Sequence, residues 1–409
     1  MRLVHTADWH LGDRLGRIDR TDDLRRAIEH VAGICRLERA DVLIVAGDLF
    51  SELARPDGLR DAIRHLQATF EPFLCGGGTI LAVTGNHDNE NFCQTLRHAM
   101  TLAAPQAMAF GTLATSGRLY LVSEPALLRL ADPGGGLVQF VLMPYPTPAH
   151  YLTNELLQRY GSLAEKNQRL LAAFKARLRQ IRGDASFDSM LPSVLVGHLS
   201  VTGAALSTPF RVSEGQDIVL DDATFASGFA YVALGHIHKG QSIGGHETVR
   251  YSGSVDRMDL GESADCKSVV ALDLGSDGAS HIRTIPLETT PIYEVQILDP
   301  TTELPTLTTR FPDHATALVN LHVRYTAGVE SLEAILGQLD AIFPRWYSRD
   351  WTEARDLGPT LTLANAPPSR GFAETVREYL TSELANHDDG DREAVLARAD
   401  DLLTEGDAV

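Results

Sequence analysis

Five short apolar runs, each ending in Asp, Asn or His, punctuate the first 240 residues. Leu3-Val4-His5-Thr6-Ala7 leads into Asp8-Trp9-His10, and Val42-Leu43-Ile44-Val45-Ala46 leads into Gly47-Asp48. Thr79-Ile80-Leu81-Ala82-Val83-Thr84 leads into Gly85-Asn86-His87-Asp88. Val194-Leu195-Val196 leads into Gly197-His198, and Tyr231-Val232-Ala233-Leu234 leads into Gly235-His236-Ile237-His238. Runs of this length predict strands of a parallel sheet, whose ligands bind outside the carboxyl ends. Glycine before the polar residue lets the backbone turn there. The stretches between the first runs have helical periodicity. Leu24, Ile28, Val31 and Cys35 mark a helix over 19–37; Leu59, Ile63, Leu66 and Phe70 one over 57–70; Phe92, Leu96 and Met100 one over 91–102.

Further on, Leu119–Val122 and Val138–Leu142 read as strands around a Pro133-Gly134-Gly135-Gly136 turn, and 153–181 as a helix. The apolar stripe of that helix is flanked by Arg159, Lys166, Arg169, Lys175, Arg177, Arg179 and Arg182, charges whose ordinary reading is a solvated face. Strands return over 217–236 and 246–297, with a domain boundary near Glu288–Pro291. A small α/β unit follows, with alternation over Leu318–Tyr325 and an amphipathic helix through Leu332, Ile335, Leu336, Leu339 and Ile342. Asn365-Ala366-Pro367-Pro368-Ser369 is a linker, and acidic helices are expected over 371–385 and 391–403. The boundaries are therefore 1–289, 290–364 and 365–409.

Composition changes this picture little. At 44% hydrophobic and 22% charged, the 409 residues are those of an ordinary globular chain, with no run long enough to span a bilayer. Cys35, Cys75, Cys93 and Cys266 form no C-x-x-C pair, which predicts buried free thiols in a reducing cytoplasm and no structural zinc. A net charge of −18 excludes coating DNA by bulk electrostatics, but not a nuclease whose ions attract phosphate locally. Residues 371–409 hold eleven acids against three arginines, almost half of that excess.

Carboxylate, imidazole and carboxamide donors without thiolate at five strand ends make a ligand set for two metal ions. They suit Mn²⁺, Fe or Zn²⁺, and the oxygen share favours Mn²⁺. For any lone histidine a satisfied buried ring is the better reading; five placed at strand ends reverse that preference. His5 keeps the ordinary reading, although it is near the site.

The five pieces Asp8-x-His10, Gly47-Asp48, Gly85-Asn86-His87-Asp88, Gly197-His198 and Gly235-His236-x-His238 resemble, in order, the signature of the calcineurin-like metallophosphoesterases. Met1–Gly12, Gly47–Phe50, Ala233–His238 and Arg250–Ser254 are similar to the SbcD DNA-nuclease branch. The resemblance implies an α/β fold: a four-layer β-sandwich flanked by helices, a small α/β capping domain that recognises DNA, and a C-terminal helical tail. It implies that Asp8, His10 and His238 hold one ion, Asn86, His198 and His236 the other, and that Asp48 bridges them. Two Mn²⁺ are expected, with Mg²⁺, Fe or Zn²⁺ as substitutes. Ions roughly 3.5–4 Å apart can hold a hydroxide and align the phosphate for displacement. His87 would then stand beside the scissile phosphate, its tautomer fixed by Asp88.

The implied activity is double-strand exonuclease and single-strand or hairpin endonuclease in DNA repair, recombination and replication. The implied partners are DNA, an SbcC-type SMC-like ATPase bound through the C-terminal helices, and a second copy pairing through the helices at 57–70 and 91–102, within a heterotetramer. No membrane is involved, and the setting would be cytoplasmic, at the nucleoid. Two departures stand out. Ser51 follows Asp48-Leu49-Phe50 where many relatives carry His, and Val255 follows Gly253-Ser254 where proline is common. The alternatives are a phosphatase or phosphodiesterase acting on a small molecule or phosphoprotein, and a non-catalytic DNA-end tether.

Overall fold

The computed structural model describes residues 1–104, 111–152, 160–206, 218–225, 228–354 and, beyond these, 380, 381, 384 and 395–399. The chain divides into two compact units, Met1–Ala354 and Arg355–Val409. The linker and most of both expected tail helices lie outside the described residues; 380–381 and 395–399 are helical.

In chain order the first unit contains β1 (Arg2–Thr6), α1 (Thr21–Leu37), β2 (Val42–Ala46), α2 (Pro56–Cys75), β3 (Thr79–Val83), α3 (Glu90–Ala103), β4 (Leu119–Val122), β5 (Ala126–Ala131) and β6 (Leu137–Met143). Then come α4 (Leu163–Gly183), β7 (Ser193–His198), β8 (Tyr231–Gly235), β9 (Gln241–Ile243), β10 (His246–Tyr251), β11 (Ser268–Gly275) and β12 (Gly278–Pro286). The last elements are β13 (Ile292–Ile297), β14 (Leu318–Tyr325), α5 (Leu332–Ile342) and β15 (Trp346–Glu353).

Two sheets carry the fold. One has the order β12-β11-β1-β2-β3-β4, the other β9-β10-β8-β7-β6-β5 with the short strand Thr112–Leu113 at its edge. β1, β2, β3 and β4 are mutually parallel, as are β6, β7, β8 and β10. Their apolar runs are continuous because both faces are covered. In β2, Leu43 and Val45 face α1–α3, while Val42, Ile44 and Ala46 face the second sheet. Opposite them stand Phe140, Leu142, Val194, Val196 and Ala233. The outer face of the second sheet is closed by Leu170, Phe174, Leu178 and Ile181 of α4, each contributing about 1.5–3 kcal/mol by burial. The result is a four-layer α/β sandwich: helices, sheet, sheet, helix.

Residues 153–159 of the expected helix lie outside the described residues, and α4 covers Leu163–Gly183. The Ser162 side chain accepts from Glu165 N, an N-cap that starts the helix at Leu163. The cysteines also depart from uniform burial. Cys35 and Cys93 are buried, but Cys75 ends α2 beside the glycine break and Cys266 lies in the approach to β11, and both are exposed. Among the described residues no helix is long and apolar enough to cross a membrane.

The parallel sheet β13-β14-β15 has its own core of Val295, Val319, Leu321, Val323, Leu339 and Phe343. It is fastened to the loop that follows the first metal motif. Arg17 donates to the carbonyls of Trp346 and Pro344 at 2.9 Å each, and its guanidinium lies 3.9 Å from the Trp346 ring centroid. Arg345 pairs with Asp23, which also accepts from the buried Arg20.

Candidate metal centre

The sandwich puts the carboxyl ends of β1, β2, β3, β7 and β8 at one edge, and backbone bonds then lock the loops together. Asp8 N donates to Gly47 O at 3.0 Å, and Trp9 N and His10 N both donate to Asp48 O, at 2.8 and 2.9 Å. Gly47 has φ +95°, and a Cβ there would overlap the His198 ring; a Cβ at Gly85 would overlap the Asp48 carboxylate. Backbone strain gathers at the same place. Among the described residues, six other than glycine have positive φ, and four of them are Asp8 (53°), His10 (45°), Asp48 (52°) and His236 (96°). Such conformations cost about 1–3 kcal/mol each and persist where surrounding structure enforces them, typically at functional sites.

Donor atoms of Asp8, His10 and His238 all lie within 4.8 Å of one another, and so do those of Asp8, Asp48 and His198. His10 Nε2 and His238 Nε2 are 3.2 Å apart. Two nitrogens bound to one ion at roughly 2.1 Å have about that separation. Asp48 Oδ2 sits between the groups, 3.7 Å from His10 Nε2 and 3.2 Å from His198 Nε2. Asn86 Oδ1 completes the second group, 3.0 Å from His198 Nε2 and 2.9 Å from His236 Nδ1. All seven residues expected as ligands therefore converge. Asp8 belongs to both clusters, and its two oxygens accept from the backbone N–H of His236, at 3.1 and 3.2 Å.

Ring orientation is set from behind. His198 Nδ1 donates to Ala46 O at 2.7 Å, which turns Nε2 toward Asp48 and Asn86. Electrostatics ask for cations here. Burial alone would raise the Asp48 carboxyl, but the His198 and His10 imidazoles hold it well below the usual carboxylate range. Burial works against protonation of His198, yet Asp48 pushes its pKa up to about 9. A buried, anionic, nitrogen-and-oxygen donor set fits divalent metal ions.

Asp88 does not orient His87. Its Oδ1 accepts from Phe50 N at 2.9 Å and its Oδ2 from Gly85 N at 2.8 Å, so it ties the second loop to the third. Burial, then the Asp48 charge, pushes Asp88 up to about 7. Adjacency in sequence suggests the pairing, but backbone donors take both Asp88 oxygens. His87 is anchored by its backbone instead: its N–H donates to Asp48 Oδ1 at 2.8 Å, and Nδ1 lies 3.6 Å from the exposed Glu52. At the departure position, Ser51 Oγ donates to Asp13 Oδ1 at 3.0 Å and holds the loop after His10. His5 is buried against the Tyr231 hydroxyl and Leu234 O, and burial lowers its pKa to about 3, so it is a neutral core histidine.

Three neighbours of the centre are not evident from the sequence. Tyr145 lies beside the second group, its ring centroid 5.8 Å from that of His236, tilted, and 6.1 Å from that of His198, edge-on. Glu262 and Lys267 are buried behind His238. The Pro144-Tyr145-Pro146 exit from an apolar run is the one signal that points to the tyrosine.

The sequence profile of the calcineurin-like phosphoesterases matches residues 1–240, a span holding every one of the converging loops. The chain belongs to that family. Within the phosphoesterases it is similar to the SbcD component of the SbcCD nuclease from Escherichia coli (strain K12), 30% identical over 277 residues, 66% of this chain and 64% of that protein. The corresponding protein from Rhodobacter capsulatus is 31% identical over 300 residues, 70% of this chain and 69% of that one. These place the chain in the SbcD branch of the phosphoesterases, matching about 64% of the length of the Escherichia coli relative. Among solved structures, a dimetal phosphatase from Danio rerio aligns with a TM-score of 0.40 and 13% identity, over 70% of this chain and 98% of that one.

Proposed function

We propose that the chain is a metal-dependent DNA nuclease that hydrolyses phosphodiester bonds at the edge where β1, β2, β3, β7 and β8 end. The single observation that carries this is the convergence of seven nitrogen and oxygen donors on two adjoining positions, in a chain similar to nuclease components. Asp8, His10 and His238 would hold one ion, Asn86, His198 and His236 the second, and Asp48 would bridge them. When bound, such a pair lowers the pKa of water from about 15.7 toward neutrality and draws charge from the phosphate oxygens. No protein side chain is then needed as the base. The chain's own task is geometric: Asp48 holds both groups and, through His87 N–H, the third loop. His87 donates a hydrogen bond to a non-bridging oxygen or a proton to the departing alkoxide. Mn²⁺ is the expected ion.

The test compares linear duplex, hairpin and single-stranded DNA with p-nitrophenyl phosphate. Mn²⁺ should support cleavage of the nucleic acids, and EDTA should abolish it while the circular dichroism spectrum persists. Turnover of the small phosphate without DNA cleavage would move the assignment to a phosphatase. Full cleavage by protein shown to be metal-free would end the two-ion reading.

The likeness to one component of a two-component nuclease supports an assembly with an SbcC-type ATPase and DNA. We assign 1–289 to catalysis, 290–364 to DNA recognition and 365–409 to the ATPase. Truncation after Asn365 should abolish co-purification with the ATPase and leave Mn²⁺-dependent nicking intact; retained co-purification would put the docking surface elsewhere. Pairing of two copies is supported by an apolar cleft between α2 and α3, lined by Trp9, Ile63, Leu66, Phe70, Leu96 and Met100. Leu59 is buried in its own core and does not contribute, whereas Ile63, Phe92, Leu96 and Met100 are only partly covered. A two-fold seam meets itself, so Leu96→Asp places two carboxylates in one apolar interface. The expected result is a monomer by light scattering.

A further inference from the structure

We propose that Glu262 and Lys267 are positioning residues for His238, fixing its ring and its backbone so that Nε2 is presented to the first ion. The inference rests on the two-ion reading above and extends it to a segment outside the five motifs. Glu262 lies in the short 3-10 turn Leu260–Glu262, and Lys267 immediately precedes β11. Both are buried, at 0% and 2% exposure.

Glu262 Oε1 accepts from His238 Nδ1 at 2.7 Å, which makes Nδ1–H the donor and leaves the lone pair on Nε2. Glu262 Oε2 is occupied by Lys267 Nζ at 2.7 Å, Met258 N at 3.0 Å and Ser254 Oγ at 3.2 Å. Lys267 Nζ donates in addition to the carbonyl of His238 itself at 2.9 Å and to Asp265 Oδ2 at 3.2 Å. One residue is thus held at two points, the imidazole by the carboxylate and the main chain by the ammonium.

Stability alone does not account for this arrangement. Buried ion pairs are often no more stable than apolar residues of the same volume. The pair converges on a single residue, and the Nε2 of its ring is 3.2 Å from His10 Nε2. An anionic acceptor on Nδ1–H also makes Nε2 a stronger donor to a cation than a neutral acceptor does. His198, whose Nδ1 meets only a backbone carbonyl, lacks that increment and serves as an internal comparison.

The experiment uses the full chain, Mn²⁺ as the probe, and Glu262→Gln. Equilibrium dialysis gives the number and affinity of bound ions, and thermal melting of the metal-free protein is recorded separately. Wild type should bind two ions; fewer would defeat the two-ion reading itself, independently of Glu262. The variant should lose about 10–100-fold in affinity at one ion and keep the other. Unchanged affinities with a lowered metal-free melting temperature would show a purely structural role and overturn the proposal. Glu262→Asp keeps the charge but retracts it by one methylene. If Gln does not fold, Asp is read in the same way, and a wild-type affinity there would equally overturn it. Lys267→Met should weaken the same ion as Glu262→Gln; weakening of the other ion would contradict the assignment.

Discussion

Asp48→Ala should leave the protein unable to retain its ions through gel filtration, with nuclease turnover down by on the order of 10³-fold or more. A single oxygen of Asp48 reaches toward both groups, 3.2 Å from His198 Nε2 and 3.7 Å from His10 Nε2. Its other oxygen accepts from His87 N, so truncation also releases the third loop. The residue is 1% exposed, which keeps water from replacing the lost carboxylate cheaply. Without that charge, each ion would meet only neutral donors on the second side and a single carboxylate, Asp8, on the first. Asp48→Asn separates charge from shape: it should keep the His87 contact and the melting temperature of the metal-free protein, yet still lose metal. Atomic emission on the desalted variants gives the readout. Two ions retained by Asp48→Ala would remove Asp48 from the bridging position.

Much of this centre is legible before any coordinates, for a physical reason. Strands covered on both faces must be apolar throughout, so Val42–Ala46 and Val194–Val196 end abruptly where a polar residue turns outward. Position in the run therefore reports position at the sheet edge. The same logic fails where a residue's role is fixed by a contact distant in sequence. Glu262 and Lys267 follow His238 by 24 and 29 residues, in a segment with no apolar period, and only folding puts them behind its ring. Asp88 fails differently. Its place next to His87 suggests a pair, but the backbone donors of Gly85 and Phe50 claim both oxygens. The clamp of Arg17 and Arg345 on the small sheet is equally silent in the sequence, because two arginines on an otherwise acidic chain look like solvated charges.

His87→Ala should behave in the opposite way to Asp48→Ala: both ions stay, and turnover falls about 10²–10³-fold. His87 belongs to neither group of converging donors, although its ring centroid is 5.1 Å from that of His10. Its side chain is 29% exposed, against 2% for His10 and 0% for His198, so it faces the side from which a substrate arrives. Nδ1 lies 3.6 Å from Glu52, beyond hydrogen-bond reach, which leaves the ring free to reorient on a phosphate. Two roles remain, and the leaving group separates them. A DNA alkoxide departs as a strong base and needs a proton, whereas p-nitrophenolate departs without one. A proton donor should therefore matter for DNA and hardly at all for a p-nitrophenyl phosphodiester. A hydrogen-bond donor to a non-bridging oxygen should matter equally for both. His87→Gln sharpens the comparison, since an amide donates a hydrogen bond but no proton at neutral pH. The expected pattern is a large loss on DNA for Ala and Gln alike, a small loss on the activated ester, and two Mn²⁺ per chain in every variant. Equal losses on both substrates with rescue by Gln would assign the ring to the non-bridging oxygen. Loss of an ion in His87→Ala would instead make His87 a ligand and reverse the division of labour between the third loop and Asp48.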